Sequence, residues 1–250
     1  EFQGESAGLS YGFSIDLPEQ VVDQMERVLL RIDAELDLDL QHDLSAGPAD
    51  VMMSQYSGVA GTDLITGRPT LIVGSATPKE SSWHIQWADN PTFTPLEVFV
   101  HEWGHILGLE HPDRDNPFNT ESSTADTVMS YNRDAEAPGR FFTSIDRSAL
   151  VILWGTEGNR SSDQKEFIAD GSKSGESHHS LAGQLQMLTD EASSDDNFVS
   201  DIYLTLLNRS VEPGGADYWV NALDQGLSRR SIVDHVLLSE EMLLLLEAGI

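Results

Sequence analysis

The chain has 250 residues, 39% of them hydrophobic, which is enough for one ordinary domain and a small second one. Its 42 acidic residues against 14 basic ones leave a formal net charge of -28, a surface that repels nucleic acid and disfavours anionic membranes. With no cysteine there is neither a disulfide framework nor a thiolate site, so any metal must sit on His, Asp or Glu. No run of about 18 apolar residues predicts a membrane span. The acidity suits solubility in salty water; carboxylates of a secreted protein can also bind calcium, at a place the sequence does not give. The chain begins Glu1-Phe2, with no initiator Met and no signal peptide, and a missing native N-terminus is expected from this.

In chain order, Leu9 to Ile15 alternates as a strand. Val21, Met25, Val28, Leu29, Ile32 and Leu36 then recur at helical spacing, with Pro18 in the first turn. Short extended segments follow at Leu36 to Gln41, Val51 to Tyr56, Thr70 to Val73 and His84 to Trp87, separated by Gly and Pro clusters. The next helix has a strong start: Thr94 at the N-cap, Pro95 after it and Glu97 three residues on form a capping box. Leu96, Phe99, Val100, Trp103, Ile106 and Leu107 make its apolar stripe, and Gly108 suits the left-handed residue that ends it. A polar loop covers Pro112 to Asp126, and its Asp113 to Asn116 stretch is a solvated segment that can also hold calcium. A further helix is expected at Ile145 to Trp154, capped by Thr143 and Asp146.

From Gly155 to Asn197 the composition turns to Gly, Ser, Asp and Glu, which reads as a linker with one short helix near Leu181 to Leu188. Phe198 to Leu207, Ala216 to Leu223, Ser231 to Leu238 and Glu240 to Glu247 read as helices of a small module. The expected domains are therefore a catalytic unit at 1–155, a polar linker at 156–197 and a helical module at 198–250.

The chemistry is concentrated in His101-Glu102-Trp103-Gly104-His105-Ile106-Leu107-Gly108-Leu109-Glu110-His111. On a helix, His101 and His105 lie one turn apart on one side and can bind one ion. Gly108 lets the chain turn so that His111 approaches from another direction. Three neutral imidazoles leave a fourth position for water, the catalytic arrangement of zinc, and Glu102 is placed to take that water's proton. His42, His84, His178, His179 and His235 are expected to be structural or solvated.

This pattern followed by Thr127-Val128-Met129-Ser130-Tyr131 resembles the metzincin signature of zinc proteases. Pro112 after the third His, the Val-Met-Ser-Tyr turn and the segment Asp146 to Gly155 are similar to the serralysin-type members. The resemblance implies an α+β fold, with a mixed twisted sheet and long helices, followed here by a small all-α module. It implies a secreted zinc endopeptidase acting on protein or peptide substrates, with His101, His105 and His111 as zinc ligands and Glu102 as general base. Met129 would be the apolar floor of the site, and Tyr131 a movable fifth ligand that steadies the oxyanion. Thr70 to Ser75 would be the sheet edge that pairs with substrate backbone.

No glycine-rich calcium repeat follows, which departs from that group. The C-terminal segment instead resembles a bacterial helical domain of unknown function, the 4214 family, through Tyr203, Leu207-Asn208-Arg209, Gly215, Tyr218-Trp219, Gly226-Leu227-Ser228-Arg229 and Ser239-Glu240. Two other readings are open: a metal-binding recognition or adhesion protein that does not cleave, and a narrow processing peptidase. Oligomeric state has no signature in the sequence.

Overall fold

A computed structural model describes residues 7–14, 16–43, 49–55, 59–62, 69–72, 74–79, 82–88, 93–113, 121–157, 180–190 and 193–249. The fold is α+β: a five-stranded mixed sheet, a two-stranded hairpin and, among the described residues, eight helices. No helix among the described residues is long and apolar enough to cross a membrane.

Strand β1 (Ala7–Phe13) leads into helix α1 (Glu19–Glu35), which returns the chain to β2 (Leu38–His42), parallel to β1. Leu36 belongs to the helix end and not to the strand: its N–H still bonds Ile32 O, so the alternating Leu-Asp stretch pairs only from Leu38. β3 (Val51–Gln55) and β7 (Trp83–Trp87) continue the sheet in parallel, and β6 (Gly74–Pro78) closes it antiparallel to β7. The order is β2-β1-β3-β7-β6. β4 (Val59–Thr62) and β5 (Pro69–Ile72) form the separate hairpin. The edge expected at Thr70 to Ser75 is thus displaced: Thr70 to Ile72 pair with β4, Val73 lies outside the described residues, and among the described residues Gly74 to Pro78 form one of the two edge strands of the main sheet, β2 being the other.

α1 packs against β2 and against helix α2 (Pro95–Ile106), and α2 lies on β6 and β7. Met25, Val28, Leu29 and Ile32 of α1 and Phe99, Val100 and Trp103 of α2 are fully buried between helices and sheet. Helix α3 (Ser144–Trp154) ends at Gly155, whose carbonyl accepts from Asp37 N, while Leu36 bridges Thr156. The remaining helices are α4 (Leu181–Asp190), α5 (Asp195–Leu207), α6 (Pro213–Asp224), α7 (Arg229–Leu237) and α8 (Glu240–Ala248). α4, α7 and α8 contact α1 directly, and buried apolar residues from Tyr11 of β1 to Leu246 of α8 form one cluster.

Candidate metal centre

Helix α2 carries two of the three histidines, and its ends are built to hold it still. At its start Glu97 N donates to Thr94 Oγ1 (3.3 Å) and Thr94 N to Glu97 Oε2 (3.0 Å), the reciprocal capping box read from the sequence. At its end Gly108, with φ 98°, takes the left-handed conformation that a β-carbon resists, and Trp154 Nε1 of α3 donates to the orphan carbonyl of Leu107 at 2.9 Å. The turn brings His111 back over the helix. Its ring centroid lies 5.3 Å from that of His101 and 4.7 Å from that of His105.

Each of the three imidazoles offers one nitrogen, all within 4.8 Å of one another, a group that could hold a metal ion. No fourth His, Cys, Asp or Glu joins it among the described residues. Nδ1 of His101 faces Val128 O at 2.9 Å, and Nδ1 of His105 faces Leu109 O at 3.1 Å. A carbonyl can only accept, so both Nδ1 atoms carry the proton and both Nε2 atoms are left as bare donors for an ion. Nε2 of His101 and Nε2 of His111 stand 3.3 Å apart. Two nitrogens bound tetrahedrally at about 2.0–2.1 Å lie about 3.3–3.4 Å apart, so this pair has the spacing of two donors on a zinc-sized ion. Burial pushes His101 from 6.5 down to about 4, assisted by its two neighbours. His105 and His111 are also lowered, by burial first. All three are therefore neutral near pH 7, as metal ligation requires.

Glu102 is buried, which raises its carboxyl from 4.5 to about 7; a hydrogen bond from the backbone N–H of Ala76 on the edge strand β6 works the other way. A β-carbon at Gly74 would run into Val98 Cγ1 and stand 2.8 Å from Glu102 Oε1. Glycine there lets the sheet edge lie against the helix beside the carboxyl group.

The loop after the third histidine supplies the other face. Tyr131 is 40% exposed, with its ring 4.5 Å from His111 and stacked at 5.5 Å on His101. Burial raises its hydroxyl pKa, and the charge on Glu102 adds to the rise. Met129 is 1% exposed beneath the helix turn that carries the histidines. All six residues singled out in the sequence, His101, Glu102, His105, His111, Met129 and Tyr131, therefore meet in one place.

Three further positions in the site were not singled out as functional from the sequence. Gly104 sits where a β-carbon would run into Met129 Sδ. Alanine ordinarily gains about 1 kcal/mol over glycine inside a helix, but overpacking a filled core costs about 1–3 kcal/mol. Gly104→Ala is therefore expected to lower stability by up to about 2 kcal/mol in the native chain and to raise it slightly in a Met129→Ala background. Denaturant titration of the four variants checks the reversal of sign; destabilisation of similar size in both backgrounds would count against the contact.

Asp146 is the second. Besides capping α3 through Thr143 N (2.9 Å) and Oγ1 (2.8 Å), it accepts from Thr127 Oγ1 at 2.5 Å and Val128 N at 3.0 Å. It thereby fixes the carbonyl that orients His101. The third is Glu97, which beyond its cap accepts from Arg133 Nη2 (2.8 Å) and Nε (3.3 Å), two residues past Tyr131. Their helix signals were legible in the sequence; their tertiary partners have no local signal.

Residues 186–245 match a family described as a domain of unknown function (DUF4214). The matched span runs from within α4 into α8 and leaves the histidine site outside it. No curated protein matches the chain.

Proposed function

We infer that the chain is a zinc-dependent endopeptidase of the metzincin type, similar to the serralysins, which hydrolyses internal bonds of protein substrates outside the cell. The observation that carries this reading is the convergence of three neutral imidazoles, two of them with Nδ1 turned to a backbone carbonyl, beside the buried carboxyl of Glu102. Imidazole sets of this kind suit zinc and other transition metals over calcium or magnesium, and three protein ligands with a fourth position free are typical of a catalytic site. When bound, zinc would polarise the scissile carbonyl and lower the pKa of water to about 7.

The chain's own residues do the rest. Glu102, whose proton affinity sits near neutrality, takes a proton from the attacking water and hands it to the leaving amine. Tyr131, its ring packed on His101 and His111, donates its hydroxyl proton to the developing oxyanion. The antiparallel β6 is an edge strand beside Glu102, to which an extended substrate can add as a further strand.

The test is reconstitution. Chelator treatment is expected to abolish digestion of an unfolded protein such as casein, and one equivalent of zinc to restore it. Digestion that survives complete removal of metal sinks the reading. Stoichiometric zinc with no cleavage of casein or of a peptide library would mean a recognition protein on the same scaffold. Cleavage confined to one partner would make it a processing peptidase.

A further inference from the structure

The sequence of α1 is amphipathic, and its charged residues would ordinarily form a solvated face. The fold buries three of them instead: Glu26 is 0% exposed, Arg31 3% and Asp33 5%. Buried charges are costly unless each finds a partner of the right sign. Some partners are near at hand, His42 on Glu26 (2.6 Å), Glu35 on Arg31 (3.1 Å) and Leu40 N on Asp33 (2.8 Å), and the others are the ends of the C-terminal helices.

Arg27 Nη2 donates to Thr205 O at 2.8 Å, and its Nη1 to Leu206 O, in the last turn of α5. Arg31 Nη1 donates to Leu237 O (2.7 Å), the last residue of α7, and to Ser239 O (2.8 Å), where α8 begins. Gln24 Nε2 donates to Gly249 O at 2.9 Å, just past the end of α8. Glu26 Oε2 accepts from Leu181 N at 2.6 Å, the first residue of α4. Most of the signs follow the helix dipole: a carboxylate meets the N-terminus of α4, and cations or a neutral donor meet the C-terminal carbonyls of α5, α7 and α8, while the bond from Arg31 to Ser239 O falls at the start of α8. Arg230 of α7 completes the contact, 3.5 Å from Asp33.

The grip extends toward the metal centre. Arg140 Nη1 donates to Ala248 O at 2.9 Å, and Arg140 Nε lies 3.8 Å from Glu97, the capping residue of α2. Two of the anchoring ends, Leu181 and Ala248 to Gly249, lie outside the span matched by the DUF4214 family.

We propose that the polar face of α1 is a dedicated docking surface for helix ends, and that it makes the C-terminal helical module a built-in clamp which folds and unfolds as one cooperative body with the metal-site unit. The module is then no independently folding, detachable tether. The apolar cluster that runs unbroken from β1 to α8 supplies the same continuity in the core. The proposal stands apart from the proposed protease activity, because its readout is unfolding and not cleavage.

The experiment is hydrogen exchange of the full chain along a thermal or denaturant series, following amides of α2 and of α5 to α8 separately. One coincident midpoint is expected. Phe198→Leu, a change buried wholly inside the module, should lower the midpoint of both regions together by about 3–6 °C. Arg31→Met, which breaks the clamp itself, should lower it by about 6–12 °C. Should that variant not fold, Gln24→Ala removes a single neutral bond and is expected to cost about 2–4 °C at the shared midpoint. Separate midpoints for α2 and for α5 to α8, or an α2 midpoint that Phe198→Leu leaves in place, overturn the proposal.

Discussion

Replacing Glu102 by Gln is expected to leave the metal bound at full stoichiometry and to cut kcat/KM by about 10²–10⁴-fold. The amide keeps the volume of the carboxyl group and can still accept from Ala76 N–H, so the sheet edge and helix α2 need not move. What it loses is the ability to take a proton at neutral pH. Glu102 is held for that task by burial, which raises its carboxyl to about 7, close to the value at which one group can both accept and return a proton. Glu102→Ala removes the same function and opens a small void as well, so the Gln variant isolates the chemistry. Zinc content by atomic absorption and peptide turnover by mass spectrometry make the comparison. Full activity in a zinc-loaded Gln variant would dismiss Glu102 as the base, whereas loss of zinc would mean that the substitution reached the ligands.

Asp146→Ala is expected to destabilise the fold by about 3–5 kcal/mol and to weaken metal binding by about 10–100-fold. Four hydrogen bonds end on this buried carboxylate. Its removal leaves the N–H groups of Val128 and Thr143 without their acceptor, at about 1–3 kcal/mol each, while the cap of α3 by Thr143 Oγ1 on the backbone N–H of residue 146 survives. The second effect travels one step further. Val128 donates its N–H to Asp146 and offers its carbonyl to Nδ1 of His101, so a loosened loop no longer holds the His101 tautomer and ring plane. Denaturant unfolding and a competition titration with a zinc chelator measure the two effects. Asp146→Asn separates them: the amide still accepts from one side, so it should recover part of the stability while metal affinity stays reduced. Metal affinity equal to the native chain in both variants would show that the loop holds His101 without this carboxylate.

The residues of the metal centre were legible in the sequence because their spacing obeys local geometry. His101 and His105 share a helix face by periodicity alone, and Gly108 reverses the chain by its own backbone freedom. The capping boxes at Thr94 and Thr143 are equally local, and both formed as read. The strand around Thr70 was displaced for the opposite reason. Which of two short extended segments becomes the edge of the main sheet depends on pairing across distant parts of the chain, and β5 found its partner in β4 while Gly74 fitted against α2.

By itself the sequence determined the elements whose cause lies within about a turn of chain: the helices, their caps, the converging imidazoles and the carboxyl group between them. Only the tertiary structure decided what the polar groups do at long range. Glu26, Arg27 and Arg31 look solvated when read along α1, and Asp146 looks like a helix cap alone. Many of their partners are backbone carbonyls and N–H groups far along the chain, which every residue carries and no sequence pattern marks. Packing alone determines which of those groups a buried charge must satisfy.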